Sequence, residues 1–91
     1  MIKSFQHKGL KQFFRKGNQK GISSFNADRV KRILDAIAAG SPGDLMIPGF
    51  GTHELGGNRK GTWAITLTGN WRVTLKFDGR DAVDVHLEDY H

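Results

Sequence analysis

The feature that most constrains this chain is a change of hydrophobic period partway along it. Up to Gly40 apolar residues recur three and four apart, while from Trp63 onward they recur at every second position. The first period is that of a helix buried on one face, and the second is that of a strand with one wet face. Leu10, Phe13 and Phe14 predict a helix from Lys8 to Lys16, stopped by Gly17. Val30, Ile33, Leu34, Ile37 and Ala38 predict a second, capped by Asn26 and closed by Gly40-Ser41-Pro42. Residues 2–5 are too few to decide between strand and coil. The Pro- and Gly-rich stretch from Pro42 to Gly51 reads as loop, with Leu45, Met46 and Ile47 tucked under it.

Three strands follow. Trp63, Ile65 and Leu67 alternate with polar or small residues, as do Trp71, Val73, Leu75 and Phe77, and then Val83, Val85 and Leu87. Directly paired residues share a face, which limits the register. Joining the first two strands through Thr68-Gly69-Asn70 pairs Ile65 with Val73 and sets Thr66 beside Arg72. Joining the last two by a longer connection pairs Leu75 with Val83 and Val73 with Val85, and sets Arg72 opposite His86. The expected fold is therefore α+β: two N-terminal helices packed on the apolar side of a small antiparallel sheet, in one domain over residues 1–91. The other face of the sheet is left open, with Arg72 on its central strand.

Composition removes several functional classes. The chain has no Cys, so disulfide scaffolds, thiolate nucleophiles and Cys-ligated zinc are excluded. No apolar run approaches the roughly 20 residues of a membrane span. The first residues have charge but no apolar segment behind them, so a secretory signal is not expected and the cytoplasm is the expected compartment.

Charge is distributed unevenly. Residues 1–32 carry nine basic groups against Asp28, for +8; residues 33–77 add +1 and residues 78–91 contribute −4, giving the net +5. A basic N-terminal half suits a polyanion, since each phosphate it neutralises releases counterions. A solvated helical surface would look the same in composition.

The open face and the chain end hold groups suited to metal-independent RNA cleavage. That reaction needs a base for the ribose 2′-hydroxyl, a cation for the charge on phosphorus and an acid for the departing 5′-oxygen. His53, Asp89, Tyr90 and His91 can move protons, and Arg72 matches a phosphate in bidentate fashion. A cross-strand charge pair is the simpler explanation of Arg72 beside acidic residues, and a loop histidine that of His53. His86-x-Glu88 with Asp89 and His91 matches no established metal-ligand spacing, and no metal or other cofactor is expected.

Four segments together resemble the HigB toxins of bacterial toxin–antitoxin pairs, within the RelE/ParE superfamily. They are Met1-Ile2-Lys3-Ser4-Phe5 with His7-Lys8-Gly9-Leu10, the His53 segment through Asn58-Arg59-Lys60-Gly61 to Trp63, Asn70-Trp71-Arg72-Val73-Thr74, and Glu88-Asp89-Tyr90-His91. The resemblance covers the whole chain and implies the RelE-like microbial RNase fold. It implies a ribosome-dependent endoribonuclease that enters the aminoacyl site and cuts messenger RNA. By position, His53, Asp89, Tyr90 and His91 match the family's active-site residues and Arg72 its phosphate-stabilising arginine. Asp89 and His91 are then the proton-transfer candidates, and Tyr90 is expected to orient the substrate or stack on a base. Ribosomal RNA becomes the partner of Lys8, Lys11, Arg15, Lys16, Arg29, Lys31 and Arg32, with Arg59 and Lys60 on the loop before the sheet. A HigA-like helix-turn-helix antitoxin is the implied protein partner, operator DNA is reached only through that complex, and no membrane is involved.

The chain departs from the family at one informative place. Many relatives read His-Pro-Leu-Lys-Gly where this sequence reads His53-Glu54-Leu55-Gly56-Gly57, so Gly56 stands in place of a lysine counted with the active site. Arg59 or Lys60 is the expected substitute cation, and Glu54 is expected to favour the protonated form of His53. The alternatives are a ParE-like toxin acting on DNA gyrase without catalysis, and an RNA-binding module without turnover.

Overall fold

The computed structural model describes residues 1–40 and 42–89. Helix α1 spans Lys8–Lys16 and begins where the His7 imidazole Nδ1 accepts from the Leu10 N–H at 3.1 Å. It ends at Gly17, whose φ of 70° is the left-handed turn that glycine adopts without a Cβ penalty. A single 3₁₀ turn, Lys20–Ile22, then crosses α1 backbone to backbone. A Cβ built on Gly9 would lie 2.7 Å from the Gly21 carbonyl oxygen, so only glycine permits this approach. Helix α2 spans Ala27–Ala39 and is capped by the Asn26 side chain, which accepts from the Arg29 N–H at 3.1 Å.

Helix α2 follows the predicted periodicity, whereas in α1 only Leu10 is buried: Phe13 is half-buried and Phe14 is exposed, its ring edge-on to Phe5. Leu10 of α1 and Val30, Ile33, Leu34 and Ile37 of α2 are fully buried. They pack on Ile65, Val73, Leu75, Val85 and Leu87 of the sheet, with Ile22, Leu45 and Phe50 closing the edges. Burial of each such side chain contributes about 1.5–3 kcal/mol. Of the loop residues expected in the core, Leu45 is buried and Ile47 half-buried, but Met46 is 63% exposed. Phe50 fills the space instead, under the guanidinium groups of Arg29 and Arg32 at 5.8 and 5.9 Å from its ring centre.

The sheet is an antiparallel meander in the order β1 (His53–Glu54), β2 (Thr62–Thr68), β3 (Trp71–Asp78), β4 (Asp81–Asp89). The short edge strand β1 adds to the three strands read from the alternation. On the opposite edge, the N-terminal segment runs parallel to β4 through isolated bridges of Ile2 with Ala82 and Phe5 with Val85. The Lys3 N–H donates to the Ala82 carbonyl, and the Ala82 N–H to that of Met1, each at 2.8 Å. This segment covers β4 hydrogen-bonding groups that would otherwise invite pairing with another chain.

Between β2 and β3 the expected pairs are present: Ile65 faces Val73 and Thr66 faces Arg72. A bulge between Thr66 and Thr68 then makes Thr68, rather than Leu67, the partner of Trp71. Between β3 and β4 the register differs from expectation. The turn is the two-residue Gly79-Arg80, with Asp78 opposite Asp81 and Phe77 opposite Ala82. Val73 pairs with Leu87 rather than Val85, and Arg72 pairs with Glu88 rather than His86. The physical reason is a bulge at Asp84, which adopts φ 55° and adds one residue to β4. The bulge flips the strand's parity, so Ala82 and Val85, three apart, are both buried, while Val83 is only half-buried.

Among the described residues no helix is long and apolar enough to cross a membrane.

Candidate functional site on the polar sheet face

The register assembles the open face row by row. Thr66, Arg72 and Glu88 form one row, and His53, Ala64, Thr74 and His86 the next. Thr62 and Lys76 follow, with Val83 brought round by the bulge. His53 therefore belongs to the face that carries Arg72, although alternation alone gave no place for it. It lies two strands away, roughly 10 Å by the usual strand spacing. Its imidazole is exposed, with Nδ1 3.0 Å from the Gly51 carbonyl oxygen.

Glu54, next to His53, takes the other face: it stands opposite Trp63 and its Oε2 accepts from the Gly61 N–H at 2.9 Å. Its carboxylate thus closes the 56–61 loop, on the side of the strand away from the His53 imidazole. Adjacent residues of a strand point to opposite sides, and that alone separates the two.

Arg72 is half-buried and bends back over its own turn, with Nη1 donating to the carbonyls of Gly69 at 2.8 Å and Trp71 at 3.1 Å. Among the described residues its other donors make no hydrogen bond, so the guanidinium is oriented yet has N–H groups for a phosphate. Its cross-strand neighbour Glu88 is already committed. Arg59 donates to both Glu88 oxygens, Nη1 to Oε1 at 2.9 Å and Nη2 to Oε2 at 2.7 Å, and the Thr74 hydroxyl donates to Oε2 as well. The Arg59 hydrogen bonds hold the Glu88 carboxyl below its ordinary range, and the Thr74 hydroxyl, the Arg59 charge and His86 act in the same direction against burial.

That pairing bears on the missing lysine. Arg59, half-exposed, already has its charge matched by Glu88, whereas Lys60 beside it is exposed and makes no ion pair among the described residues. Of the two expected substitutes, Lys60 is the cation open to a phosphate.

Asp89 ends β4 exposed and opposite Trp71. It lies at the Arg72 end of the sheet but, by alternation, on the helix-packed side. Tyr90 and His91, the remaining expected active-site residues, lie outside the described residues.

The basic helical residues divide into two kinds. Lys8, Lys11, Arg15 and Lys16 of α1 and Arg32 of α2 are exposed, and Lys31 is exposed but paired with Asp35 at 2.7 Å. Arg29 differs. Its Nε donates to the Leu67 carbonyl at 2.9 Å, and its Nη2 to those of Thr66 at 2.8 Å and Gly49 at 2.9 Å. This guanidinium is a clamp between α2, β2 and the loop before β1, a role that helical spacing could not reveal.

Sequence reading also passed over His7. Its ring lies 6.0 Å from that of His86, whose Nδ1 is enclosed without a hydrogen-bond partner among the described residues. Burial first, and then the His86 charge, push the His7 imidazole below its ordinary range. Among the described residues no three His, Asp or Glu side chains gather to hold a metal ion.

A sheet face with an oriented arginine, histidines and, beside it, a lysine unpaired among the described residues suits a phosphodiester substrate, and known proteins agree with that chemistry. The curated protein Endoribonuclease HigB of Proteus vulgaris is 45% identical over 92 aligned positions that span all of both chains. Residues 3–91 match the family described as the RelE-like toxin of the type II toxin–antitoxin system HigB. By extent and by identity, then, the chain belongs to the HigB-like toxin family, whose members act as the toxin half of a type II toxin–antitoxin pair.

Proposed function

We propose that this toxin is a ribosome-dependent endoribonuclease that cuts messenger RNA in the aminoacyl site and so arrests translation and growth. The observation that carries the reading is the full-length similarity to Endoribonuclease HigB, and the composition of the polar face supports it. A base removes the proton of the ribose 2′-hydroxyl, the 2′-oxygen bonds to phosphorus, and the bond from phosphorus to the 5′-oxygen breaks. The products are a cyclic phosphate and a 5′-hydroxyl protonated by an acid. Asp89 and His91 are the proposed proton-transfer pair, Tyr90 orients the substrate, and His53 completes the polar set. Arg72 stabilises the charge that builds on the phosphate oxygens, with Lys60 in the role vacated at Gly56.

Lys8, Lys11, Arg15, Lys16, Lys31 and Arg32 face ribosomal RNA in this reading. A HigA-like helix-turn-helix antitoxin holds the toxin inactive in the cytoplasm, and the pair reaches operator DNA through the antitoxin. Residues 1–91 act as one domain. The test is a purified translation system in which 5′ ends of the message are mapped by primer extension, with and without ribosomes. New ends that require ribosomes are the expected result. An intact message with arrested translation would replace cleavage by occupancy of the ribosome.

A further inference from the structure

Beside the Arg59–Glu88 pair the polar face sinks into a groove of about 150 Å³, whose walls include Gln6, Asn58, Lys60, Thr62, Lys76 and Asp84. Neither His53 nor Arg72 lines it, so it adjoins the proposed reacting phosphate rather than enclosing it, with Lys60, Glu88 and Thr74 between the two. Its size is well below that of the usual pocket for a drug-sized ligand and suits a nucleotide that seats its base there and leaves its phosphate at the rim.

The chemistry of the walls is specific. The side chains of Gln6, Asn58, Lys60 and Lys76 make no hydrogen bond or ion pair among the described residues. Lys60 and Lys76 give the groove two unmatched cations, and Arg59 and Glu88 neutralise each other beside them. Among the described lining residues Asp84 supplies the one carboxylate without an ion-pair partner. It sits there because the β4 bulge holds it at φ 55°, the only left-handed non-glycine residue described. Such a conformation in a non-glycine residue costs of the order of 1 kcal/mol and tends to persist where it serves a site.

The geometry points to a nucleotide-binding subsite in this groove, with a phosphate on Lys76, Lys60 between it and the reacting phosphate, and a base read by Asp84. A carboxylate only accepts hydrogen bonds, so it favours a base with an exocyclic amine, namely adenine, cytosine or guanine, over uracil, whose N3–H donor is flanked by two carbonyl oxygens that repel a carboxylate. Gln6 and Asn58 can both donate and accept at the remaining base edge. This inference rests on the proposed function, in that the nucleotide belongs to the same RNA strand as the cleaved bond. It adds a base preference beside the cut, set by Asp84.

The test titrates the isotope-labelled full chain with 5′-AMP, 5′-CMP and 5′-UMP and follows backbone amides by NMR. Amides of residues 58–62, 74–76 and 83–85 shift, and AMP and CMP bind several-fold more tightly than UMP. Asp84→Asn keeps the left-handed conformation that Asn tolerates and removes the difference between bases. Lys76→Ala weakens all three nucleotides alike. Groove amides that stay still with every nucleotide, or that move only with the antitoxin, overturn the inference. Unchanged base preference in Asp84→Asn overturns it too, even where message cleavage on ribosomes is intact. Base-selective shifts in the groove together with an uncut message would uphold the subsite and remove the nuclease reading.

Discussion

Glu88 and Arg59 meet in two parallel hydrogen bonds of 2.9 and 2.7 Å, tying the loop before β2 to the end of β4, 29 residues further on. The pair is partly solvated, with side-chain exposures of 22% and 42%, so its contribution is that of a well-formed surface bridge, about 1 kcal/mol. Arg59→Ala therefore lowers the melting temperature by about 4–8 °C in a chain of this size. The Glu88 carboxyl titrates below its ordinary 4.5 in the folded chain, so this stability is complete above that value and is lost as pH falls through the folded one. Acid denaturation curves of wild type and Arg59→Ala check it: the two converge at low pH and separate above 4.5.

His7 gives a second pH dependence with its own window. The folded chain favours the neutral imidazole because it is partly buried, faces His86 and uses its Nδ1 lone pair to cap α1. Its folded value is depressed below 6.5, so the stability it supports is full above 6.5 and declines as pH falls through the folded value. His7→Asn keeps a capping acceptor and removes the titration. Urea unfolding across this range shows a sloping midpoint for wild type and a flatter one for the variant.

Arg29 and the α1 lysines separate stability from binding. Arg29→Ala leaves three carbonyls without their donor and costs about 2 kcal/mol, read from the urea midpoint. Lys11→Ala and Lys16→Ala change stability by less than about 0.5 kcal/mol. Each instead weakens ribosome binding and reduces its salt dependence by about one counterion.

Gly9→Ala tests the crossing of α1 over the Lys20–Ile22 turn. The added methyl would stand 2.7 Å from a backbone oxygen, which cannot rotate away as a side chain would. The expected cost is about 1–3 kcal/mol by calorimetry. Gly43→Ala, where the added methyl meets nothing within 4 Å, is the control and melts close to wild type.

Much of this architecture was legible because periodicity reports burial. Val30, Ile33, Leu34 and Ile37 are all buried as their spacing required, and Gly17 stops α1 as expected. Pairing across β2 and β3 followed from keeping Ile65 and Val73 on one face. The β3–β4 register was not legible, since a bulge breaks the strict alternation on which such reasoning depends. Its one sequence trace is Asp84, an aspartate inside a strand and a residue type that tolerates positive φ. Arg29 hid for a different reason: its distant carbonyl partners are fixed by tertiary packing and leave no mark on local spacing. The polar face was legible through Arg72, whereas its pairing to Glu88 and the place of His53 required the observed register.

The most direct test is the single-turnover rate of message cleavage on purified ribosomes for wild type, Arg72→Ala and His91→Ala, with ribosome affinity measured alongside. The account predicts a rate reduced by about 10²-fold or more in both variants, with affinity nearly unchanged, as expected when a group acts on the transition state. Cleavage at the wild-type rate in both variants would contradict it, as would a message left whole by wild-type toxin bound to the ribosome.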